Sequence, residues 1–482
     1  MRTELHIDGA WRKGHGEVFA SHDPATGDKV WEGCAANEDD VAEAMAAARL
    51  AFPTWSRRPV EERIALVRAF AKEIEKRGEE IARTISREMG KVAWDAKSEV
   101  QAMIGKVEIS IRAQAERAGQ REEKAAFGAM TLSHHAHGVL AVFGPFNFPG
   151  HLPNGHIVPA LLAGNCVLFK PSELTPGVGA LMMEAWEAAG LPAGVLNLLQ
   201  GGRDAGAALL DSHGLNGVLF TGAAHTGALI HKKFAGRPDV ILALELGGNN
   251  PLIVWPPVDA MAAANLIAHS AFATSGQRCS CARRLIVPQS GEGDAIVAAL
   301  AELAPKIAVG PATQTPEPFL GPLVNAHAAE RAVKFEQGLV AMGAKPIVAV
   351  KRDGAFVHPA IIDVTGLTPP DEELFGPVLQ VYRAPDFDHA LDLANATRFG
   401  LAGGLISDDA ALWARVQNEM RAGVLNWNRP TTGASGAMPF GGPGLSGSLR
   451  PSAYYAADYV AYPVATQLSE KAAPIPAPGL PL

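Results

Sequence analysis

Val139-Leu-Ala-Val-Phe-Gly-Pro-Phe-Asn-Phe-Pro149 opens with five consecutive apolar residues and closes on an asparagine held between two proline-containing bends. A short run that is apolar at every position, not at every second one, reads as a strand covered on both faces. Gly144-Pro145 stops it. The same design returns at Cys166-Val-Leu-Phe-Lys170, stopped by Pro171, and at Val195-Leu-Asn-Leu-Leu199, ahead of Gly201-Gly202. Gly217-Val-Leu-Phe-Thr221, ahead of Gly222, is the fourth case. Helical periodicity at 156–163 and 178–189 separates these runs. Buried strands alternating with helices predict a parallel sheet with helices on both sides and right-handed crossovers.

Outward from this block, a second α/β region begins near Gly247. Its strands are Leu252-Ile-Val-Trp255, Arg284-Leu-Ile-Val-Pro288, Ala360-Ile-Ile-Asp-Val364, Val378-Leu-Gln-Val-Tyr382 and Gly423-Val-Leu-Asn-Trp427, with a helix at 260–273. Toward the N-terminus, residues 4–33 read as short strands and turns. Helical periodicity follows at 39–50, 60–76, 79–89 (with Gly90 as a stop) and 94–118. That helical block shows no chemistry. Residues 130–137 resemble an exposed strand, 431–447 a loop rich in Gly, Ser and Pro, and the segment from 472 a Pro-rich extended or disordered tail.

Composition narrows the function classes. The 482 residues suit roughly two to four domains, and 48% hydrophobic with 19% charged residues is the balance of a soluble globular chain. A net charge of -8 argues against a nucleic-acid partner. The N-terminus lacks the apolar core of a signal peptide, and Gly and Pro break every apolar stretch short of a membrane span, so no membrane partner and a cytoplasmic location are expected. Four cysteines make no disulfide framework. Cys279-x-Cys281 could be half of a metal site. Cys34 and Cys166 stand far away and no His has matching spacing, so no metal is expected.

Ligands of an open parallel sheet bind beyond the carboxyl ends of its strands, and those ends carry the polar residues. Asn147 could offer an amide to a developing oxyanion, a contact worth about 3 kcal/mol in a transition state; a turn-forming Asn is the plainer alternative. Lys170 and Glu173 could grip a ribose by its hydroxyls. A carboxylate there would repel a 2′-phosphate, which favours NAD over NADP. Gly222 and Gly227 bracket the start of a helix, where backbone N–H groups can approach phosphate, although the spacing is not G-x-G-x-x-G. Glu245 ends an apolar strand in Leu244-Glu-Leu-Gly-Gly-Asn249, where desolvation would lift it toward the range of a general base. Cys279, in Ser275-Gly-Gln-Arg-Cys-Ser-Cys281, stands among small polar residues with Arg278, Arg283 and Arg284 nearby. That positive charge would favour a thiolate nucleophile. A buried, inert thiol beside surface arginines is the competing reading.

These segments, taken together and in order, resemble the NAD(P)-dependent aldehyde dehydrogenase family over nearly the whole chain. The matching stretches are Gly144-Pro-Phe-Asn-Phe-Pro149, Lys170-Pro-Ser-Glu173, Phe220-Thr-Gly222 with Gly227, Glu245-Leu-Gly-Gly-Asn249, Gly276-Gln-Arg-Cys279, Glu373-Leu-Phe-Gly-Pro377 and Pro439-Phe-Gly-Gly442. Ala223 stands where many members have Ser. The resemblance implies Cys279 as the nucleophile that attacks the aldehyde, Asn147 with the Cys279 N–H as oxyanion hole, and Glu245 as the base for hydrolysis of a thioester. It also implies Lys170 and Glu173 at the adenine ribose, and Glu373 with Phe375 at the nicotinamide ribose and ring.

The implied fold is α/β. It has a Rossmann-type NAD-binding domain (1–119 and 138–246), a catalytic domain (247–447), a small β oligomerisation arm (120–137 and 448–470) and the tail (471–482). The arm should pair with a late strand near 455–462 and make a homodimer or a dimer of dimers. Asn147-Phe-Pro-Gly-His-Leu-Pro-Asn-Gly-His156 and Arg450-Pro-Ser-Ala-Tyr-Tyr-Ala-Ala-Asp-Tyr459 are similar to members acting on an aldehyde that carries carboxylates. Arg is suited to hold such groups, and Arg278 and Arg450, then Arg284 and Arg429, are the candidates. The rival readings are a dehydrogenase of succinate or glutamate semialdehyde and a thioesterase-like hydrolase built on the same Cys279 and Glu245. A third is a non-catalytic binding protein, against which the intact Cys279, Glu245 and Asn147 speak.

Overall fold

The computed structural model describes residues 1–480, so the last two residues of the Pro-rich tail lie outside the described residues. The first sheet has seven strands in the order Ile241–Leu246, Gly217–Gly222, Val139–Phe143, Cys166–Lys170, Leu196–Leu198, Leu5–Ile7 and Ala10–Arg12. The first five run parallel. Leu5–Ile7 turns antiparallel onto Leu196–Leu198, so the extreme N-terminus closes the sheet edge. Val139–Phe143 and Cys166–Lys170 are buried at every residue, as continuous apolar runs demand when helices cover both faces.

Val139–Phe143 is also where the strand order reverses. The next strand, Cys166–Lys170, lies on one side of it, and Gly217–Gly222 lies on the other. In open α/β sheets such a reversal opens a crevice beyond the carboxyl ends of the strands. Phe143 pairs with Lys170 and with Phe220, and Phe220 pairs with Leu244. The Pro-Phe-Asn, Lys-Pro-Ser-Glu, Phe-Thr-Gly and Glu-Leu-Gly-Gly segments therefore all leave the sheet at one edge.

The second sheet, also seven-stranded, runs Lys345–Val348, Ala360–Asp363, Val378–Ala384, Ala282–Pro288, Asn250–Val254, Ala402–Ile406 and Val424–Trp427. Only Lys345–Val348 is antiparallel to its neighbour. The helices Glu38–Ser56, Val60–Lys76, Gly78–Met89 and Ala93–Arg117 build the N-terminal block. The last of these packs along the two before it and along His151–Ala163, the helix that follows the Asn147 loop.

A third sheet of three strands joins Arg121–Ala125, Gly128–Ala136 and Ala461–Leu468. The late strand pairs from Ala461 with Ala136 to Leu468 with Ala129, a few residues beyond the 455–462 expected from the sequence. Residues Ala456–Tyr459 form a short helix instead, because Ala456, Ala457 and Tyr459 are the buried anchors that dock the segment on helices Ala93–Arg117 and His151–Ala163.

Candidate active site

Glu245 is the penultimate residue of its strand and pairs with Thr221 of the neighbouring one. It is 6% exposed. Its Oε2 accepts a hydrogen bond from Ser452 Oγ at 2.8 Å, while Oε1 has no partner. Burial pushes the carboxyl up to about 7, against the pull of Ser452, the Lys106 ammonium and the Thr221 hydroxyl. A carboxyl half-ionised near neutrality with one oxygen unengaged is the equipment of a general base.

Cys279 follows a strained loop. Thr274, Ser275 and Gly276 all have positive φ (55°, 56° and 72°). At Gly276 a Cβ would stand 2.2 Å from the Gly376 carbonyl oxygen, so no other residue fits three positions before the cysteine. Ser275 Oγ donates to Gly321 O at 2.7 Å, and Asn250 Nδ2 donates to both Cys279 O (2.7 Å) and Cys281 O (2.8 Å). The loop is thus pinned on both sides of the nucleophile. Cys281 is buried, Cys279 is partly accessible, and both are free thiols.

The arginines around Cys279 do not act as the sequence suggested. Arg278 donates to Asp95 Oδ1 (2.8 Å) and Thr274 Oγ1 (2.7 Å). Arg283 donates to the carbonyls of Gly276 (2.7 Å) and Arg278 (3.0 Å), and Arg284 to those of Asn249, Leu393 and Ala394. These contacts hold the chain, although Arg283 Nε is buried without a partner. Desolvation, with the Glu245 and Glu373 carboxyls nearby, pushes the Cys279 thiol well above its ordinary range, and Arg283 offsets only part of this. These surroundings favour the neutral thiol over the thiolate at Cys279. Of the four arginines read as carboxylate-holders, Arg284 is structural, Arg278 is engaged by Asp95, and Arg429 and Arg450 are exposed.

Asn147 is buried, and its Nδ2 donates to Gln277 O at 2.9 Å, two residues before Cys279. One of its two amide hydrogens is used there, and the other is not engaged by the protein. Glu373 lies under the Gly247-Gly248 turn, close enough that a Cβ on Gly247 would meet its Oε2 at 1.6 Å. Gly247 leaves the room this carboxylate occupies, while a Cβ on Gly248 would meet Asn250 instead. Glu373 Oε1 is buried without a partner, Arg283 is 3.9 Å away, and burial lifts the carboxyl to about 7. Phe375 meets Phe146 edge to face at 6.0 Å, with Arg283 over its ring.

At the far strands, Lys170 Nζ donates to Pro171 O at 3.0 Å and stands 4.0 Å from half-exposed Glu173. Gly222 ends its strand, and Gly227 lies in the following helix, Ala224–Lys233. A Cβ on Gly227 would press on Leu246 at 2.5 Å, so this glycine lets the helix start close against the strand end. An orphaned carboxylate oxygen, a glycine-cleared helix start and a Lys–Glu pair along one sheet edge fit a dinucleotide.

The model of the aldehyde dehydrogenase family matches residues 11–462. The chain belongs to the aldehyde dehydrogenase family. Among relatives of this dehydrogenase, the N-succinylglutamate 5-semialdehyde dehydrogenase 2 of Caulobacter vibrioides is 56% identical over 97% of this chain and 96% of its own. The fold matches 1-pyrroline-5-carboxylate dehydrogenase from Thermus with bound NAD at a TM-score of 0.90, 30% identity, and coverage of 96% and 92% of the two chains. It also matches the NADP-dependent glyceraldehyde-3-phosphate dehydrogenase of Bacillus halodurans complexed with NADP at 0.89, 28% identity, and coverage of 97% and 99%.

The N-terminal helical block, in which the sequence showed no chemistry, lines this dehydrogenase's site. Asp95 receives Arg278 and Thr274 Oγ1. Glu99 Oε1 accepts the backbone N–H groups of Gly150 (2.9 Å) and His151 (3.1 Å), and its Oε2 accepts Lys91 Nζ. The available signal was Asp95, Glu99 and Lys106 recurring at spacings of four and seven among apolar residues, a charged stripe on the face that ought to be buried.

Proposed function

We propose that the chain oxidises N-succinyl-L-glutamate 5-semialdehyde to N-succinyl-L-glutamate with NAD, the step that belongs to the succinyltransferase route of arginine catabolism. The observation that carries this reading is the 56% identity to a relative of that name over almost the full length of both chains. The site supports it with a complete set of groups for thiol-based aldehyde oxidation: Cys279, Asn147 and Glu245.

Cys279 Sγ attacks the aldehyde carbon, and the free Asn147 N–H with the Cys279 backbone N–H stabilises the oxygen as charge develops on it. A dinucleotide held beyond the strand ends would supply the acceptor for the hydride of this carbon. Glu245 then takes a proton from the water that attacks the resulting thioester, releasing the acid and regenerating the thiol. The elevated thiol makes proton removal from Cys279 part of the work. Lys170 and Glu173 are assigned to the adenine ribose, Gly222 and Gly227 to the pyrophosphate, and Glu373 and Phe375 to the nicotinamide end. Half-exposed Glu173 selects NAD, because a 2′-phosphate beside it would be repelled.

The working units are 1–119 with 138–246 for the dinucleotide and 247–447 for the chemistry. The arm (120–137 and 448–470) joins copies into a homodimer or a dimer of dimers in the cytoplasm.

NADH formation at 340 nm with N-succinylglutamate semialdehyde tests the reading. Turnover much faster than with succinate semialdehyde, and lost in Cys279→Ala, is expected. Turnover only with other semialdehydes would retain the family and sink this substrate.

A further inference from the structure

Helix Ala93–Arg117 turns a row of buried polar residues inward: Asp95, Glu99, Lys106 and Ser110, each 1–2% exposed. The first two are satisfied, by Arg278 and Thr274 and by Lys91 and the backbone of Gly150 and His151. The last two are not: Lys106 Nζ and Ser110 Oγ are buried without a hydrogen-bond partner. Four residues apart, they share one helix face. An ammonium buried without an acceptor is costly and needs a reason to persist.

Three observations place it at the chemistry. Lys106 is close enough to Glu245 and to His156 for their charges to act on one another. His156 Nε2 lies 3.1 Å from Thr221 Oγ1, the strand partner of Glu245. Gly155, one residue before His156, presents no side chain to Lys106; an added Cβ would stand 3.8 Å from Lys106 Cε. The helix that follows the oxyanion loop thus runs beside the Lys106 side chain with no side chain of its own at this point.

We propose that Lys106, with Ser110, forms the anion subsite that receives a carboxylate of the aldehyde substrate and sets the preference for acidic semialdehydes. This rests on the acidic-semialdehyde reading above. Of the nearby cations only Arg283 also keeps a buried nitrogen, Nε, without a partner, and its two NH2 groups are held by carbonyls of the Cys279 loop. Lys91 is paired with Glu99, Arg278 with Asp95, and Arg283 and Arg284 are engaged with backbone carbonyls. A carboxylate with oxygens to offer both the ammonium and the hydroxyl would satisfy the two orphans at once.

The test compares kcat and KM for N-succinylglutamate semialdehyde and for a neutral aliphatic aldehyde in wild type, Lys106→Met, Lys106→Arg and Gly155→Leu. In Lys106→Met the ratio of kcat/KM, acidic over neutral, should fall roughly 10- to 100-fold, mainly through KM, as expected for one charge-assisted contact. Lys106→Arg should recover part of it. Gly155→Leu, which keeps the charge and fills the space before it, should also depress the ratio. Lys106→Met should melt at or above the wild-type temperature, because an unpaired buried charge has gone. An unchanged ratio, or equal losses for both aldehydes, would overturn the proposal and make Lys106 a partner of Glu245 alone. A wild type that oxidises the neutral aldehyde as well as the acidic one would instead bring down the substrate reading itself.

Discussion

Glu88 and Glu245 are two buried glutamates that burial pushes to the same level, about 7. Their surroundings differ. Glu88 takes Ser21 Oγ at 2.6 Å and the N–H groups of Gly177 (2.9 Å) and Val178 (3.0 Å), the first turn of helix Pro176–Ala188. Both of its oxygens are engaged, and the helix dipole adds to the hold. Glu245 has one donor, Ser452, and a bare Oε1. A raised carboxyl therefore does not by itself mark a base. An unengaged oxygen is the further requirement, because a base must have a lone pair for the proton it takes; Glu245 meets it and Glu88 does not, while Glu373 also carries a bare oxygen.

The sharpest way to break this comparison is to neutralise each carboxyl. Glu245→Gln should lower kcat by about two to four orders of magnitude while a single burst of NADH survives, measured by rapid mixing. Loss of the burst as well would mean that Glu245 also serves the thiol. Glu88→Gln should leave kcat/KM per folded molecule within about twofold and cost about 1–3 kcal/mol in denaturant unfolding, since its NH2 would face the Gly177 or Val178 N–H.

Stability against pH separates them further. A carboxyl whose folded pKa is raised to about 7 contributes stability that is fully present below its unfolded value and is lost as pH climbs through about 7. Glu245→Gln removes that loss, so at pH 8 it should melt above wild type, whereas Glu88→Gln should melt below. The wild-type kcat should rise with pH through about 7 as Glu245 ionises. The smallest effect is expected from Ser452→Ala, which removes the donor that favours the ionised form and should move this inflection upward by a fraction of a pH unit.

Much of this was legible along the chain because it is local. Five apolar residues ending in Gly-Pro make a buried strand wherever they lie, and polar residues just past several such strands must gather at one edge of a parallel sheet. Asn147, Lys170, Glu173 and Glu245 stand at or just past such strand ends; Cys279 precedes its strand, and its small polar surroundings and the family resemblance singled it out. Glu373 and Phe375 came only through family resemblance, since nothing local marks them; their place depends on a Gly-Gly turn 125 residues earlier in the chain.

Charge is where local reading failed. Three arginines near Cys279 looked like the source of a thiolate. Which groups they face is decided by contacts as distant as Asp95 and Leu393, and those contacts spend their hydrogen bonds elsewhere. The helical block was likewise silent, because a polar stripe on a helix says nothing until its burial is known. Patterning along the chain was enough for the buried strands, for the polar residues at their ends and for Cys279 as a candidate nucleophile. Folding supplied the rest, namely that burial disfavours the thiolate at Cys279, that Glu245 keeps a bare oxygen where Glu88 does not, and that Lys106 is buried within reach of the Glu245 charge, since desolvation and partnership belong to the assembled environment and not to any one stretch of chain.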